Sequence, residues 1–463
     1  MMNNPRILIA APASGSGKTM VTCGLLRALQ RRGLVPASFK CGPDYIDPMF
    51  HTKVLGTHSR NLDTFFTDEE MTKYLFLKNS EGADISVMEG VMGYYDGLGG
   101  VSVTASAYDL SRATRTPSVL LVDARGSSVS ILAVVKGFLT YREDSLIKGV
   151  ILNRMSGMLY PRIRKLIEEE LGIKVYGYVE KLTDFTLESR HLGLVMPDEV
   201  ADLGRKLDGL AVQLEKTLDI DGLIELAGST VPISSHIEKT WMGKRDGTRI
   251  GVARDEAFCF MYEDNLELLK ELGAELAEFS PLYDERLPEG ISGLILYGGY
   301  PELFAGKLSA NTAMRERIRD AAAAGMPCMA ECGGFMYLHD IMEDMDGNEY
   351  PMAGVVRGKA YRTDKLGRFG YIELSPMNSQ MLGMDVGTIK AHEFHYFDST
   401  ACGDAFLAKK PLQDRSWRCI QGGSSLIAGF PHLYYYSNPE AAGRFVEACR
   451  RYKKDKEAGG RNG

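Results

Sequence analysis

Two short stretches of the sequence hold residues that can do chemistry, one in each half of the chain. Residues 6–19 read RILIAAPASGSGKT, an apolar run followed by a small-residue loop that ends in Gly-Lys-Thr. This order is typical of the strand, loop and helix of a phosphate-binding P-loop. Residues 327–338 read PCMAECGGFMYL, in which Cys332 follows an apolar run and precedes two glycines. That pattern predicts a strand–turn–helix elbow with a thiol nucleophile.

The first stretch predicts a site for a nucleoside triphosphate. Its glycines let the backbone turn so that successive N–H groups point at one anion. Pro12 replaces the first glycine of the usual pattern, and Ala13 stands where the filament and septum-site ATPases carry an extra lysine. A dinucleotide-binding turn is the structural alternative, but Lys-Thr has no role in the sequence motif of such a turn. The residues expected to bind ATP and its Mg²⁺ are Ser14, Gly15, Ser16, Gly17, Lys18 and Thr19.

The second stretch predicts a thiol that attacks a carbonyl carbon. The strained turn needs a small neighbour such as Gly333, and we expect the start of the next helix to lower the pKa of the Cys332 thiol. A buried structural cysteine is the alternative, and it suits Cys328 better. The segment YGGYPE, with Gly298 and Gly299, ends the preceding strand and offers N–H groups for a tetrahedral intermediate.

Such a nucleophile needs a base, and the chain has 8 histidines. His432 lies in GFPHLY, late in the second half of the chain. His392 and His395, in AHEFHYF, are its rivals. The pattern of residue types leaves this choice open.

Alternating short apolar runs and helical stretches indicate how these residues are positioned. Strands are predicted at 35–40, 84–88, 118–122 and 149–152, and helices at 20–31, 129–139 and 161–171, which is typical of a parallel α/β sheet. The strand ends lead into a loop at 41–48, the pair Glu89-Gly90, a Gly-rich segment at 91–100 and Asn153. Ligands of doubly wound sheets bind at that edge.

A second α/β series starts at 249–253, after a charged turn at 244–247 that we assign as the linker. Helices are expected at 262–272 and 310–324, and strands at 294–296 and 327–330. The predicted domains are therefore residues 1–240 and 248–450, followed by a flexible tail at 451–463.

Composition narrows the class of protein. The 463 residues are 44% hydrophobic and 25% charged, as in an ordinary globular protein of two or three domains. The net charge of −7 argues against nucleic acid as the main partner. No apolar run reaches the roughly 18–20 residues that a membrane span needs. The 8 cysteines include no C-x-x-C, so we expect neither a zinc site nor a disulfide framework, but reduced thiols in the cytoplasm.

Taken together, the motifs resemble the cobyrinate a,c-diamide synthase family over nearly the whole chain. The family's landmarks appear in order as APASGSGKT, FKCGPDYIDPMFH, EGVMGYYDG, SRHLGLV, YGGYPE, ECGGFMYL and HEFHYF. The resemblance implies a P-loop doubly wound synthetase domain followed by a class I glutamine amidotransferase domain of flavodoxin-like α/β fold. It also implies that Cys332 is the nucleophile and that His432, in HLYYYSNP, is its base. Tyr434 stands two residues after His432, where ordinary class I triads have Glu, so we expect a weakly oriented histidine.

The activity that the resemblance implies is ATP- and glutamine-dependent amidation of the a- and c-acetate carboxylates of cobyrinate in cobalamin biosynthesis. Each carboxylate is converted to an acyl phosphate, which ammonia from glutamine then attacks. Within this scheme Thr19, Asp47 and Glu89 are expected to hold Mg²⁺, and Asn153 to bind the adenine. The residues expected to position the substrate and the phosphoryl group are Asp44, Tyr45, Asp96, Arg190 and His191.

Two kinds of alternative stay open at this point. Nickel-sirohydrochlorin and hydrogenobyrinate are rival tetrapyrrole substrates for the same chemistry. A P-loop switch protein with a degenerate amidotransferase-like domain is a rival of another class. The oligomeric state, the order of amidation and the path of ammonia do not follow from the sequence.

Overall fold

The computed structural model describes residues 4–181, 197–377 and 386–459. The chain divides into two compact units, Met1–Ile237 and Glu238–Gly463. Arg190 and His191, with the rest of the SRHLGLV segment, lie outside the described residues.

The first unit is built on a parallel sheet whose strands are almost wholly buried. The described strands lie in the order β3-β2-β4-β1-β5-β6-β7, so the chain winds outward in both directions from β1. Side chains on both faces are buried, which explains why β1, after Arg6, reads as a continuous apolar run. The predicted doubly wound parallel sheet is confirmed. Its strands are β1 Arg6–Ala10, β2 Pro36–Cys41, β3 His58–Leu62, β4 Ile85–Glu89, β5 Ser118–Asp123, β6 Ile147–Asn153 and β7 Val175–Val179.

The first six described helices of this unit connect consecutive strands, and the remaining two follow β7. They are α1 Lys18–Arg31, α2 Ile46–Leu55, α3 Glu69–Asn79, α4 Ala107–Ala113, α5 Ser130–Thr140, α6 Tyr160–Leu171, α7 Pro197–Thr217 and α8 Ile220–Gly228. The prediction of a loop over 41–48 was wrong at its end, because α2 already begins at Ile46 and includes Asp47 and Pro48. A proline in the first turn is tolerated, since the first N–H groups of a helix have no partner within it.

The second unit has a mainly parallel sheet and two smaller sheets. The described strands of the main sheet lie in the order β20-β21-β11-β10-β8-β9, and only β20 runs antiparallel to its neighbour. The smaller sheets have the orders β13-β12-β14-β17 and β19-β18-β15-β16-β22. The strands are β8 Arg249–Ala253, β9 Glu275–Phe279, β10 Gly293–Leu296, β11 Cys328–Glu331, β12 His339–Glu343, β13 Glu349–Pro351, β14 Val356–Arg362, β15 Arg368–Pro376, β16 Ile389–His395, β17 Phe397–Ser399, β18 Phe406–Lys409, β19 Ser416–Cys419, β20 Gln421–Gly422, β21 Leu426–Gly429 and β22 His432–Leu433.

The helices of the second unit are α9 Glu263–Glu271, α10 Ala305–Ala310, α11 Thr312–Ala323, α12 Gly333–Tyr337 and α13 Pro439–Gly459. The last of these runs through residues that the sequence assigned to a flexible tail. Its basic residues explain the difference: Arg450 contacts Asp246 at 3.0 Å, and Lys453 donates to the Asp246 carbonyl oxygen at 2.8 Å. Among the described residues, no helix has the length and the apolar character needed to cross a membrane.

Candidate active sites

The loop between β1 and α1 has the backbone shape that its glycines predicted. Gly15 and Gly17 have φ values of 77° and 92°, in the left-handed region, and Gly17 directly precedes α1. A side chain on Gly17 would meet the Asn153 amide nitrogen at 2.4 Å. Ser16 Oγ donates to the Ala13 carbonyl oxygen at 2.8 Å, and Ser14 is exposed in the loop.

The side chain of Lys18 is held by two backbone carbonyl groups, one of them in this loop. Its Nζ donates to the Met92 carbonyl oxygen at 2.6 Å and to that of Ala13 at 3.3 Å. Burial, and then the charge of Lys40, lowers the pKa of Lys18 to about 8. An anion that replaced these carbonyl contacts would favour the charged form of Lys18, as expected of a phosphate-binding lysine.

Beside the loop, Lys40 is buried among carboxylates. Its Nζ lies 2.7 Å from Glu89 Oε1, 2.5 Å from Asp47 Oδ2 and 4.0 Å from Asp44 Oδ2. Lys40 was not among the site residues predicted from the sequence. A lysine at the end of the predicted strand 35–40 was the signal available, because a lysine is rarely buried without a partner.

Burial and mutual charge shift the titration of this cluster. Burial opposes the charge on Lys40, but the carboxylates of Glu89 and Asp47 outweigh it and raise the pKa of Lys40. Burial raises the pKa of Glu89 to about 7, against the opposing effect of Lys40. Burial, then Asp47, raises the pKa of Asp44 to about 6. For Asp47, burial acts in the opposite direction, yet Lys40 lowers its pKa.

The three residues expected to hold Mg²⁺ lie together. Thr19 Oγ1 donates to Glu89 Oε1 at 2.6 Å and is 3.4 Å from Asp47 Oδ2. The second oxygen of Glu89 is buried and accepts no hydrogen bond from any described residue. No three His, Cys, Asp or Glu side chains of the described residues form a metal site by themselves. This arrangement fits Mg²⁺, which binds through one or two carboxylates together with substrate phosphates and water.

A buried, neutral histidine lies next to the cluster of Lys40 and its carboxylates. His51 Nδ1 lies 2.8 Å from Ser38 Oγ, and Nε2 lies 3.3 Å from Cys23 Sγ and 4.0 Å from Glu89 Oε2. Burial lowers the pKa of His51 to about 4. A neutral ring beside Glu89 leaves Lys40 as the positive partner of that carboxylate.

The other expected residues of this unit shape loops at the same sheet edge. Asp44 Oδ1 accepts from the Ile46 N–H at 2.8 Å, and Tyr45 precedes α2. Asp96 Oδ2 accepts from the Gly93 N–H at 2.9 Å. Asp44 and Asp96 therefore each cap a nearby backbone N–H of their own loop.

Asn153 lies against the phosphate loop, where both atoms of its amide are used within the protein. Nδ2 donates to the Ser16 carbonyl oxygen at 2.7 Å, and Oδ1 accepts from the Arg154 N–H at 3.0 Å. Each atom of the amide keeps one further hydrogen-bonding position, so these contacts neither require nor exclude binding of adenine, the role expected for Asn153. Arg154, which was not predicted as a site residue, donates to the Gly15 carbonyl oxygen at 3.1 Å and pairs with Asp123 at 2.5 Å.

In the second unit, Cys332 has the strained backbone predicted for an elbow. Its φ and ψ are 45° and −106°, between β11 and α12, and its N–H donates to the Gly429 carbonyl oxygen at 2.8 Å. The next two positions admit only glycine: a Cβ on Gly333 would lie 2.7 Å from Pro301 Cδ and 3.1 Å from the Gly299 nitrogen. A Cβ on Gly334 would lie 2.1 Å from a carbonyl oxygen.

The expected lowering of the thiol pKa is wrong. Burial raises the pKa of Cys332, and the nearby carboxylates of Glu302, Glu393 and Glu331 add to this, whereas the Gly333 N–H acts in the lowering direction. The helix that follows has only five residues, so its N-terminus offsets little of the effect of burial. A thiol of this kind needs a base that removes its proton during attack.

Of the three rival histidines, His432 is the one whose ring lies near the Cys332 side chain, on the same side of Gly298. A Cβ on Gly298 would lie 2.3 Å from His432 Cε1 and 3.3 Å from Cys332 Cβ. His392 lies opposite His432 on the neighbouring strand β16. His395 stacks on Phe430 and, because a carbonyl oxygen only accepts, donates from Nδ1 to Phe397 O at 2.6 Å. Burial lowers the pKa of His432 to about 4, so its ring is neutral and able to accept a proton.

A buried carboxyl group that was not predicted from the sequence lies next to this histidine. Glu331 Oε2 is 3.7 Å from His432 Nδ1. Glu331 directly precedes Cys332 in the sequence. It was not predicted because the carboxylate of class I triads is expected two residues after the histidine, where Tyr434 stands here. Burial raises the pKa of Glu331 well above its ordinary value.

Two known protein families match this chain, one in each half. Residues 7–195 match the family described as CobQ/CobB/MinD/ParA nucleotide binding domain. Residues 249–433 match the family described as CobB/CobQ-like glutamine amidotransferase domain. Each match covers one of the two candidate sites.

Relatives match across both units. A cobyrinate a,c-diamide synthase of Caldanaerobacter subterraneus subsp. tengcongensis is 40% identical over 96% of this chain and 98% of its own length. Proteins of the same name from Listeria innocua and Thermoplasma volcanium are each 40% identical, over 94% and 98% of this chain and 97% and 100% of their own.

Proposed function

Because this chain belongs to the cobyrinate a,c-diamide synthase family, we propose that it amidates the a- and c-acetate carboxylates of cobyrinate with ATP and glutamine. The observation that carries the proposal is the 40% identity over 96% of the chain, because it spans both candidate sites. Cobalamin biosynthesis is the pathway that this reaction would serve. A cytoplasmic location stays a prediction from the free state of all eight cysteines.

In the first unit the reaction is activation of a carboxylate. A free carboxylate is a poor acyl donor because its leaving group would be oxide, whereas an acyl phosphate releases phosphate. Lys18 and the loop N–H groups bind the phosphates of ATP, and Lys40 offsets the repulsion as one anion approaches another. Thr19, Asp47 and Glu89 would hold Mg²⁺, which when bound neutralises charge on the phosphates.

In the second unit the reaction is release of ammonia from glutamine. Cys332 Sγ bonds to the side-chain carbonyl carbon while its proton passes to His432. The oxyanion accepts hydrogen bonds from N–H groups near Gly299 and Gly333, the C–N bond then breaks, and His432 returns the proton to the departing ammonia. Water hydrolyses the remaining thioester to glutamate. Ammonia attacks the acyl phosphate, and phosphate leaves as the amide forms.

The substrate is tested by offering cobyrinate, hydrogenobyrinate and nickel-sirohydrochlorin separately and measuring glutamine-dependent ATP hydrolysis and amide formation. We expect cobyrinate to give the highest kcat/KM. Lys18→Ala is the control for ATP hydrolysis that does not depend on the phosphate loop. This variant should retain slow glutamine hydrolysis without forming amide. Turnover with nickel-sirohydrochlorin but not with cobyrinate would overturn the proposed substrate.

A further inference from the structure

Glu331 ends β11 and buries its carboxyl group beside the imidazole of His432. Oε2 lies 3.7 Å from Nδ1, and each of the two side chains is only 3% exposed. The other oxygen, Oε1, has no hydrogen-bond partner among the described residues. A carboxyl group buried with an unused oxygen is unfavourable unless a charge or a proton compensates it.

The remaining neighbours of this carboxyl group supply no positive charge. Tyr297 and Tyr435 lie close enough for Glu331 to influence their titration, and their hydroxyl groups are 3.3 Å apart. The Leu433 N–H donates toward the carboxyl group. No lysine or arginine of the described ranges forms an ion pair with Glu331. His432 is therefore the neighbour whose protonation would give Glu331 an ionic partner.

We propose that Glu331 is the positioning residue for His432, and this inference rests on the proposed roles of Cys332 and His432. In its ionised form the carboxylate faces Nδ1 at 3.7 Å and favours the tautomer that carries its proton on Nδ1, which leaves Nε2 to take the proton of Cys332 as the S–C bond to glutamine forms. The imidazolium so produced lies next to a carboxylate, and its charge is offset until Nε2 gives the proton to the departing ammonia. Glu331, on the strand that precedes the nucleophile, thus takes the role of the third triad member, which orients the histidine and stabilises its charged form.

The test separates glutamine use from amidation with free ammonia. Glu331→Gln keeps the shape of the side chain but removes its charge, and Glu278→Gln makes the same change at an exposed ion pair of the same unit. We expect Glu331→Gln to lower kcat with glutamine by about 10²- to 10⁴-fold while KM for glutamine changes by less than about threefold. Ammonia-supported amidation should stay native-like, and Glu278→Gln should match the native enzyme in both assays.

The charge-conserving variant Glu331→Asp extends the test. Its kcat with glutamine should lie between those of the native enzyme and Glu331→Gln, because the charge is kept but set back from Nδ1. If Glu331→Gln does not fold, a reduced kcat with unchanged KM in Glu331→Asp still supports the inference, and a native kcat overturns it.

Three further outcomes are decisive. A kcat for Glu331→Gln within about threefold of the native value would overturn the inference. So would equal loss of glutamine- and ammonia-supported activity in a folded variant, since that marks a structural role. Glutamine-dependent amidation by Cys332→Ser would instead overturn the proposed function of the thiol, whatever Glu331→Gln does.

Discussion

The ammonium group of Lys40 lies 2.7 Å from Oε1 of Glu89, in a pair that is almost completely buried. Lys40 comes from β2 and Glu89 from the end of the neighbouring strand β4, and Thr19 donates to the same oxygen. The pair therefore fixes the carboxylate that faces the first residues of α1. Its loss would affect both the folding of the unit and the chemistry at its edge.

Lys40→Met tests this pair. Removing one partner of a buried ion pair leaves the other charge uncompensated, and we expect the first unit to lose about 3 kcal/mol of stability. Amide formation should fall with ammonia as well as with glutamine, because the defect lies in carboxylate activation. Thermal unfolding and both assays measure these effects.

Lys174→Met is the matched control for Lys40→Met. It removes an exposed lysine that pairs with Asp219 at 2.8 Å in the same unit, and such surface pairs contribute about 0.5 kcal/mol. Similar unfolding temperatures for the two variants would contradict a special role for the buried pair.

The sequence predicted those features that depend on neighbouring residues. The apolar run of β1 and the glycines after it determine a buried strand and a loop with positive φ, so the loop was predicted in place. The elbow at Cys332 follows from the same local reasoning, since Gly333 and Gly334 are the residues that its tight surroundings require.

Features made by distant residues could not be predicted in this way. The partners of Lys40 come from β4 and α2, and only the strand order brings them together. Edge strand β3, HSRNL, has little apolar character and was missed for that reason. The thiol pKa was predicted with the wrong sign because burial, which outweighs the short helix, is a tertiary property.

Cys332→Ser tests the division of labour between the two units. Serine is a far weaker nucleophile at this position, so we expect glutamine-dependent amidation to disappear while amidation with free ammonia persists. Both rates are measured on the full chain with saturating ATP. Cys402→Ser, at a half-buried cysteine of the same unit, should keep both activities. Loss of both activities in folded Cys332→Ser would show that the thiol also supports the synthetase reaction.

The buried ring of His51 predicts a pH dependence of stability. Burial lowers its pKa to about 4 in the folded chain, whereas an unfolded histidine titrates near about 6.5. Between these values the unfolded state binds the extra proton, so the contribution of His51 to stability is complete above about pH 6.5 and is lost as the pH falls toward 4.

His51→Gln removes this titration. The stability difference between native chain and variant should shrink by up to roughly 1.4 kcal/mol for each pH unit below about 6.5. Unfolding of both proteins at about pH 7.5 and about pH 5 gives the difference, with His236→Gln, at an exposed histidine, as control. A difference that is independent of pH would show that His51 has the same pKa in the folded and unfolded states.

Asn153→Ala distinguishes support of the phosphate loop from recognition of adenine. The variant removes the hydrogen bond from Nδ2 to the Ser16 carbonyl oxygen, which holds the loop in shape for any nucleotide. Loss of one such buried bond corresponds to about 1.4 kcal/mol, so KM for ATP should rise about tenfold. Because the contact is to the loop and not to a base, kcat/KM for ATP and for GTP should fall by the same factor. Asn4→Ala, which removes a side-chain bond to Ser80 in the same unit, should change neither. A fall confined to ATP would assign Asn153 to the adenine ring.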